Sequence, residues 1–412
     1  MLKFRNTLRA APFLLAALIL NSLSLMAQDK ELVLWHSYRG EEKKAIEQVI
    51  EAFNQKAAGE GYRVKPLAIP YDAYGDKVTA AIPRGRGADI FIFAQDRLGG
   101  WIEAGNTVES LDFYLEDEIR DRFLPGMMDA MTYRDTVYGL PFNFKCILLI
   151  YNKAKVSSPP ETTAELIELA KKHTNTDSGK YGLAYAYSDF FYHAAIMNGF
   201  GGRVFDPGPT PVLDNAKNIA ALDLMMRWYT KDKVLPDEPS TALITSLFNK
   251  GDAAMVLNGP WFFGEIDASV DYGLALLPRI SEAGNQPMKP WLTVEGIYIA
   301  QPSKYKDEAY EFLKYLTSLD AAKVMATIGR QTPANKAVYD LPEVANDEAL
   351  NMVREQAALG VPMPNVPEMT MVWGHATTAM NKIVKGSASP SAAMTEAQKK
   401  LLEDIARLRK GK

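Results

Sequence analysis

The chain has 412 residues, with 46 Lys and Arg against 50 Asp and Glu, a formal charge of −4, and 23% charged beside 47% hydrophobic residues. The acidic balance gives no support to a nucleic-acid surface, and an ordinary composition without low-complexity tracts excludes the disordered class. A single cysteine, Cys146, excludes an internal disulfide.

Residues 1–27 read as a secretory signal peptide: Lys3, Arg5 and Arg9 without an acid, the apolar run Ala10 to Leu20, then Asn21-Ser-Leu-Ser-Leu-Met-Ala27 before a polar stretch. A membrane anchor is the competing reading, but the run is short and interrupted by Pro12. Cleavage is expected after Ala27, although Leu25 is bulky for the minus-three position. No lipid-anchoring cysteine follows, so the expectation is a free protein of the periplasm or exterior. Taking the leader's three cations from 46 leaves 43 against 50 acids. A mature chain of roughly 385 residues usually divides into two domains.

The mature chain starts with a short strand, Glu31 to Trp35, and a helix whose Ile46, Val49, Ile50 and Phe53 share one face. A strand near Arg63 to Ala68, a helix over 72–82 and a break at Pro83-Arg-Gly-Arg-Gly87 follow. Ile90 to Ala94 is wholly apolar, as in strands buried in parallel sheets. The order β-α-β-α-β implies a layered α/β domain. The chain turns around Val137 to Pro141, and Ile147 to Tyr151 gives another strand. The capping box Thr162-x-x-Glu165 opens a helix carrying Leu166, Ile167 and Leu169. A second α/β set runs through a helix near Ala216 to Tyr229 and a strand from Ala253 to Leu257. Tyr272 to Leu277 and Ile297 to Ala300 read as strands, Asp307 to Leu316 as a helix, and Ser391 to Leu408 as a charged amphipathic helix. With no linker or repeat, crossings between domains are expected near Phe142 to Cys146 and Thr293 to Ile297.

Asp96 and Arg97 fall where the third strand should end, the place where open α/β sheets bind ligands. Together they supply acceptors and a planar donor fork, which suits a ligand crowded with hydroxyls; a structural ion pair is the alternative. Aromatics recur beside polar groups: Trp35 with His36, Ser37, Tyr38 and Arg39; Phe93 with Asp96; Tyr187 and Asp189 with Phe191 and Tyr192; Trp261 with Phe262 and Phe263; Trp373 with His375. A sugar ring has apolar faces and a hydroxyl rim, so flat aromatic plates edged by polar groups suit it, whereas each aromatic alone fits equally well in a core. Four scattered histidines lack metal-ligand spacing. The segment Gly259 to Gly264 has Glu265 where a phosphate loop needs lysine, and no Gly-x-Ser-x-Gly elbow occurs. No cofactor is expected.

The run Asp89-Ile-Phe-Ile-Phe-Ala-Gln-Asp96-Arg97-Leu-Gly-Gly100, with Tyr138-Gly-Leu-Pro141, Leu149-Ile-Tyr-Asn-Lys153, Phe248-Asn-Lys-Gly-Asp-Ala-Ala-Met255, Asn258-Gly-Pro-Trp261, Met363-Pro-Asn-Val-Pro367 and Trp373, resembles the maltose/maltodextrin-binding proteins. These are solute-binding proteins that serve ATP-driven (ABC) sugar importers, and the similarity spans essentially the whole mature chain. The resemblance implies the two-lobed type II periplasmic-binding-protein fold, α/β, each lobe a mixed sheet flanked by helices, with the ligand cleft between them. The first lobe would be 28–143 plus 296–342, and the second 146–292 plus 343–412. It further implies a monomer that closes over an oligosaccharide and docks on membrane permease subunits, with no nucleic-acid partner.

By the resemblance, Asp96 and Arg97 bind sugar hydroxyls and Phe93 takes the place of a stacking tryptophan. Asp189 stands for a hydroxyl-binding glutamate, Phe191 for a stacking tyrosine, and Trp261 and Trp373 for two tryptophan plates. Trp35 and the loop Ser37 to Arg39, with Tyr38, border the cleft. The chain departs from the family where Lys145, near Asn143, replaces a hydroxyl-binding acid in the crossing; Glu295 is an acid near the later crossing that could compensate. Two competitors remain: a glycosidase using Asp96 with Asp189 or Glu295, which Arg97 opposes by favouring an ionised neighbour, and the same fold holding another sugar, a phosphorylated polyol or a polyamine.

Overall fold

A computed structural model of the chain describes residues 30–410. The expected signal peptide and its cleavage after Ala27 lie outside the described residues. Among those residues no helix is long and apolar enough to cross a membrane.

The first lobe forms around one sheet. Strands β1 (Lys30–His36), β2 (Tyr62–Ala68) and β3 (Ile90–Ala94) run parallel, with His36 opposite Ala68 and Leu34 opposite Ile90. The Ile-Phe-Ile-Phe sequence of β3 is buried on both faces because helices cover the sheet on each side. Helix α1 (Gly40–Lys56) buries Ile46, Val49, Ile50 and Phe53, as its periodicity predicts, and the Phe53 ring meets Phe312 edge-on at 4.9 Å. Each such side chain contributes roughly 1.5–3 kcal/mol when fully buried.

Strand β4 (Gly139–Lys145) then brings the chain to the lobe boundary, and β5 (Leu148–Asn152) begins the second sheet two residues later. That sheet has the order β8-β5-β7-β6, where β6 is Tyr181–Ala184, β7 Ala253–Asn258 and β8 Tyr272–Ala275. Helix α2 (Tyr71–Ala81) belongs to the first lobe. In the second, α3 (Thr163–His173) starts where Thr162 Oγ1 accepts from the Glu165 amide, 3.2 Å away. The Glu165 carboxylate in turn accepts from the amide of Glu161, so the expected capping box is displaced by one residue on its return side.

Strand β9 (Trp291–Ile299) carries the chain back and lies between β3 and β4, antiparallel to both. The short β10 (Val361–Pro362) pairs with its start, at Trp291 and Leu292, before helix α4 (Met369–Val384) returns to the second lobe. The two lobes are thus joined at adjacent strands.

Several expectations change. Gly139 to Lys145, read as a turn followed by a crossing, is one strand buried along its whole length; Pro141 is accommodated by a register shift opposite Glu295 and Gly296. The later crossing strand is nine residues long: Thr293 pairs in register with Lys145, and the Glu295 carboxylate finds partners at the sheet. The strand from Tyr272 stops at Ala275, since the Leu277 amide leaves the sheet to donate to Gln356 Oε1 at 2.7 Å. The helix from Ala216 is α-helical to Met226 and continues as a π-helical turn, Arg227–Lys231, that buries Trp228.

Two histidines are buried without full satisfaction. His36 Nδ1 accepts from the Tyr38 amide while Nε2 has no partner, and neither nitrogen of His193 has one among the described residues. Burial pushes His36 down to about 4, helped by Lys43, and burial alone pushes His193 down to about 3. Unfolding restores an ordinary value near 6.5, so the unfolded chain binds more protons below that pH. Stability is therefore undiminished above pH 6.5 and falls as the pH drops toward 4, by up to about 1.4 kcal/mol per pH unit for each ring. Urea unfolding of His193→Leu should show a shallower loss between pH 7 and 5 than the wild type. Equal slopes would mean that His193 protonates in the folded state.

Candidate functional site

The parallel strands of the first lobe all end on the side that faces the second. β1 leads into Tyr38 and Arg39, β2 into Tyr71, and β3 into Asp96 and Arg97. Asp96 is 5% exposed, and Trp373 of α4 donates to its Oδ2 from Nε1 at 3.0 Å. Burial raises the Asp96 carboxyl to about 6, against the opposing pull of Arg97 and of the Trp373 hydrogen bond. Arg97 forms no salt bridge among the described residues; its guanidinium sits 6.0 Å from the centre of the Phe93 ring. The Gly99 amide donates to the Asn365 carbonyl at 2.9 Å, and a Cβ there would stand 2.3 Å from that oxygen. The glycines after Arg97 thus let the segment 363–367 approach the end of β3. Gln95, wholly buried, accepts from the Val294 amide and donates to the carbonyls of Leu292 and Met363.

The crossing strands hold an ionic cluster. Lys145 Nζ lies 3.1 Å from Glu295 Oε1 and 3.2 Å from Glu42 Oε1, with the Tyr38 ring 5.2 Å away. Glu295 Oε2 accepts from the Tyr38 hydroxyl at 2.7 Å, and Asn143 Nδ2 donates to that same hydroxyl at 3.0 Å. Burial by itself would lower the Lys145 ammonium, but the carboxylates of Glu295 and Glu42 outweigh it and raise it, so it stays charged. Asn143 Oδ1 and Thr293 Oγ1, both buried, have no protein partner among the described residues.

The second lobe presents aromatic rings. Trp373 meets Trp291 edge-on at 5.4 Å, Trp291 lies 6.3 Å from Phe191, and Phe191 lies 6.0 Å from Trp261. Trp261 folds back over Gly259, where a Cβ would stand 2.3 Å from the ring. Tyr192, edge-on to Trp261, donates to Asn258 Oδ1 at 3.2 Å. Asp189 caps the helix Phe190–Gly199 through its Oδ1 and the Phe191 amide, 2.8 Å apart. Its side of the molecule is open to water, yet desolvation by the surrounding walls raises its carboxyl, as happens to a group reached only through a cleft. At the rim, Arg39 of the first lobe pairs with Glu265 of the second at 2.5 Å, and Thr245 donates to the other Glu265 oxygen.

Asp96, Arg97, Tyr38, Asn143, Lys145 and Glu295 therefore lie on the first lobe or the crossings, with Asp189, Phe191, Trp261 and Trp373 across from them. Two of the expected residues are covered by their own lobe. Trp35 is 4% exposed, with Lys77 Nζ over its ring at 4.9 Å and Gly87 against its six-membered-ring edge, within the first lobe. Phe93 is 8% exposed, packed between Tyr74 at 5.2 Å and Trp101 at 5.3 Å, so little of its face is open. Both faces of this sheet are covered near these positions, so each ring is packed whichever face it takes. Sequence reasoning missed Glu42, Gln95, Trp291 and Tyr71. Glu42 looked like an ordinary charge on a solvated helix face; the strand-to-helix junction at Ile69-Pro70 was a usable signal for Tyr71.

Comparison with known proteins identifies the family and the fold. The profile of the family described as bacterial extracellular solute-binding protein matches residues 39–323. The chain is 31% identical to the maltotriose-binding protein of Pyrococcus abyssi, over 91% of this chain and 82% of that one. It is 25% identical to the galactooligosaccharide-binding protein of Bacillus subtilis, over 92% and 90% respectively. Among solved structures, the Thermus thermophilus maltotriose binding protein bound with maltotriose superposes with a TM-score of 0.83 at 26% identity, covering 91% of this chain and 100% of that one.

Removing one partner from a buried ionic cluster strands the others without a counter-charge. Lys145→Met should cost about 3 kcal/mol of stability in urea unfolding at pH 7. A loss below about 1 kcal/mol, the range of exposed pairs, would mean that the ammonium is in effect solvated.

Proposed function

The chain belongs to the bacterial extracellular solute-binding proteins, and on that premise we propose that it captures maltodextrin-type oligosaccharides between its lobes and delivers them to an ABC importer. The observation that carries the reading is the hydrogen bond from Trp373 to Asp96, which sets an aromatic plate of one lobe beside a buried carboxylate of the other. A sugar fits such a pairing because its ring faces are apolar and its rim is hydroxyl. Asp96 and Arg97 would take hydroxyls, Trp373, Trp261 and Phe191 would stack, and Asp189 would bind at the far wall. Closure is favoured when the ligand touches both lobes only in the closed form.

Charge supports a neutral ligand. Lys145 is held between two carboxylates, and Asp96 and Asp189 add negative charge nearby, so a phosphorylated polyol would be repelled by most of the cleft. Lys145 acts through Glu295 rather than as a free anion-binding cation. Tying both Glu295 oxygens to Lys145 and Tyr38 also argues against its use as a catalytic acid, which supports a binding role over hydrolysis. The α-glucan choice rests on the Pyrococcus abyssi and Thermus thermophilus relatives, whereas the Bacillus subtilis relative keeps galactooligosaccharides as the second reading.

We place the first lobe at 28–143 plus 296–342 and the second at 146–292 plus 343–412. The protein acts outside the cytoplasm, as its family does. A leader cleaved after Ala27, no lipid anchor, a monomeric state and docking on membrane permease subunits complete the proposal, the anchor point resting on Cys146 as the only cysteine.

Tryptophan fluorescence titrated with maltotriose, a β-linked galactooligosaccharide and glycerol 3-phosphate tests the specificity. A saturable response to maltotriose with none to the phosphate is expected; a response to the phosphate alone would overturn the reading. Trp373→Ala and Trp261→Ala should each weaken binding by about 1–3 kcal/mol. Unchanged affinity would remove that ring from the site, and shortened maltotriose on incubation would replace binding by hydrolysis.

A further inference from the structure

The first lobe, as described, has polar groups facing the cleft but lacks an open aromatic plate, because Phe93 is covered by Tyr74 and Trp101. Two large aromatics of that lobe are open, Phe113 at 92% and Tyr71 at 73% exposed, and Tyr71 is the one that follows the end of a parallel strand. An isolated exposed tyrosine is ordinary, so its position decides the matter.

Tyr71 is the first residue of α2, directly after the end of β2, and β2 lies parallel to β1 with His36 opposite Ala68. It therefore projects from the same end of the sheet as Tyr38 and Asp96. Residues four apart share a helix face, and the residue four after Tyr71 is Gly75. A Cβ on Gly75 would lie 3.2 Å from the Phe93 ring and 3.4 Å from the Arg97 guanidinium. Tyr71 thus stands one turn beyond that contact, on the helix face that meets Phe93 and Arg97, and side chains of a helix lean toward its N-terminus. That direction leads out over the end of β3, toward the cleft.

The electrostatics agree with the placement. The phenol is pushed up to about 12, first by desolvation and then by Asp96, Asp189 and Glu295, while Arg97 pulls the other way. Those groups come from the first lobe, the second lobe and the crossing strand. The Tyr71 phenol also contributes to raising that of Tyr192, on the second lobe's aromatic wall, where desolvation is the larger cause. High exposure combined with desolvation is what a side chain inside a water-filled cleft experiences, since water reaches it but protein surrounds it.

We propose that Tyr71 is the first lobe's aromatic platform, a specificity-determining plate on which a sugar ring rests facing the wall of Tyr192 and Trp261. The proposal builds on the oligosaccharide reading. The ring supplies the apolar face, and the hydroxyl, protonated at neutral pH, offers a donor to the sugar's rim. Tyr71 takes over the stacking task that the family resemblance assigns to Phe93.

Calorimetric titration of the mature protein with maltotriose tests this in three forms. The wild type should bind, Tyr71→Ala should bind about 10- to 100-fold more weakly, and Tyr71→Phe should stay within about threefold, since stacking survives. Thermal midpoints should match, because the side chain is exposed. Wild-type binding with Tyr71→Ala unchanged overturns the platform while leaving the sugar reading intact. A wild type that binds neither maltotriose nor another oligosaccharide overturns the sugar reading and the platform with it. Equal losses in Tyr71→Ala and Tyr71→Phe would reject stacking, because only the hydroxyl would then matter.

Discussion

Glu295 is the residue on which the two-lobed arrangement turns. It lies on the middle strand of the crossing, opposite Ala94 on one side and Asn143 on the other. A carboxylate there, with its side chain only 14% exposed, has little water to solvate it, so most of its donors come from the protein. They come from two elements that meet at the boundary: Tyr38 after the end of β1, and Lys145 from β4, which draws in Glu42 of α1. A buried ionic cluster of this kind adds little net stability, because desolvation opposes the attraction. It does fix geometry, since any shift of one strand leaves a charge unpaired. The register of the crossing strands, and hence the relation of the lobes, follows from that requirement.

A second tether acts beside it. Gln95 bonds to both β9 and the segment after β10, and Gly99 lets that same segment approach the end of β3. Asp96 and Arg97 are therefore placed by neighbours on each side, which keeps a cleft residue rigid while the walls around it move. The rim pair Arg39 and Glu265 links the lobes at their outer edge, where exposure limits such a contact to about 0–1 kcal/mol. A contact this weak is compatible with lobes that open and close.

The two walls differ in chemistry. The first lobe and the crossings offer carboxylates, an ammonium already neutralised and a guanidinium, whereas the second offers a connected row of rings from Trp373 through Trp291 and Phe191 to Trp261. An amphipathic ligand meets each wall with a different part of its surface, so neither wall alone satisfies it. That division gives closure a thermodynamic basis, because contacts with both walls exist only when they approach.

The sequence by itself determined the α/β class, the helix face of Ile46, Val49, Ile50 and Phe53, the buried strand Ile90 to Ala94 and the polar pair at its end. Local periodicity and turn chemistry carry that information. It also marked Asp189, Phe191, Trp261 and Trp373, as aromatics and acids at element ends. What it left undecided depends on residues distant in the chain. Lys145 read as a departure in the ligand code until Glu42 and Glu295 appeared beside it, 103 residues before it and on the strand opposite. Phe93 and Trp35 read as cleft aromatics because a strand's sequence does not say which face is covered by Trp101 or Gly87. Tyr71 passed unnoticed for the converse reason: the junction at Ile69-Pro70 marks a strand end, but only the neighbours of that end show whether the tyrosine there stands over a cleft or on an outer surface. Only the tertiary structure decides burial and charge pairing, because both depend on which elements of the folded chain come to lie within a few ångströms of each other.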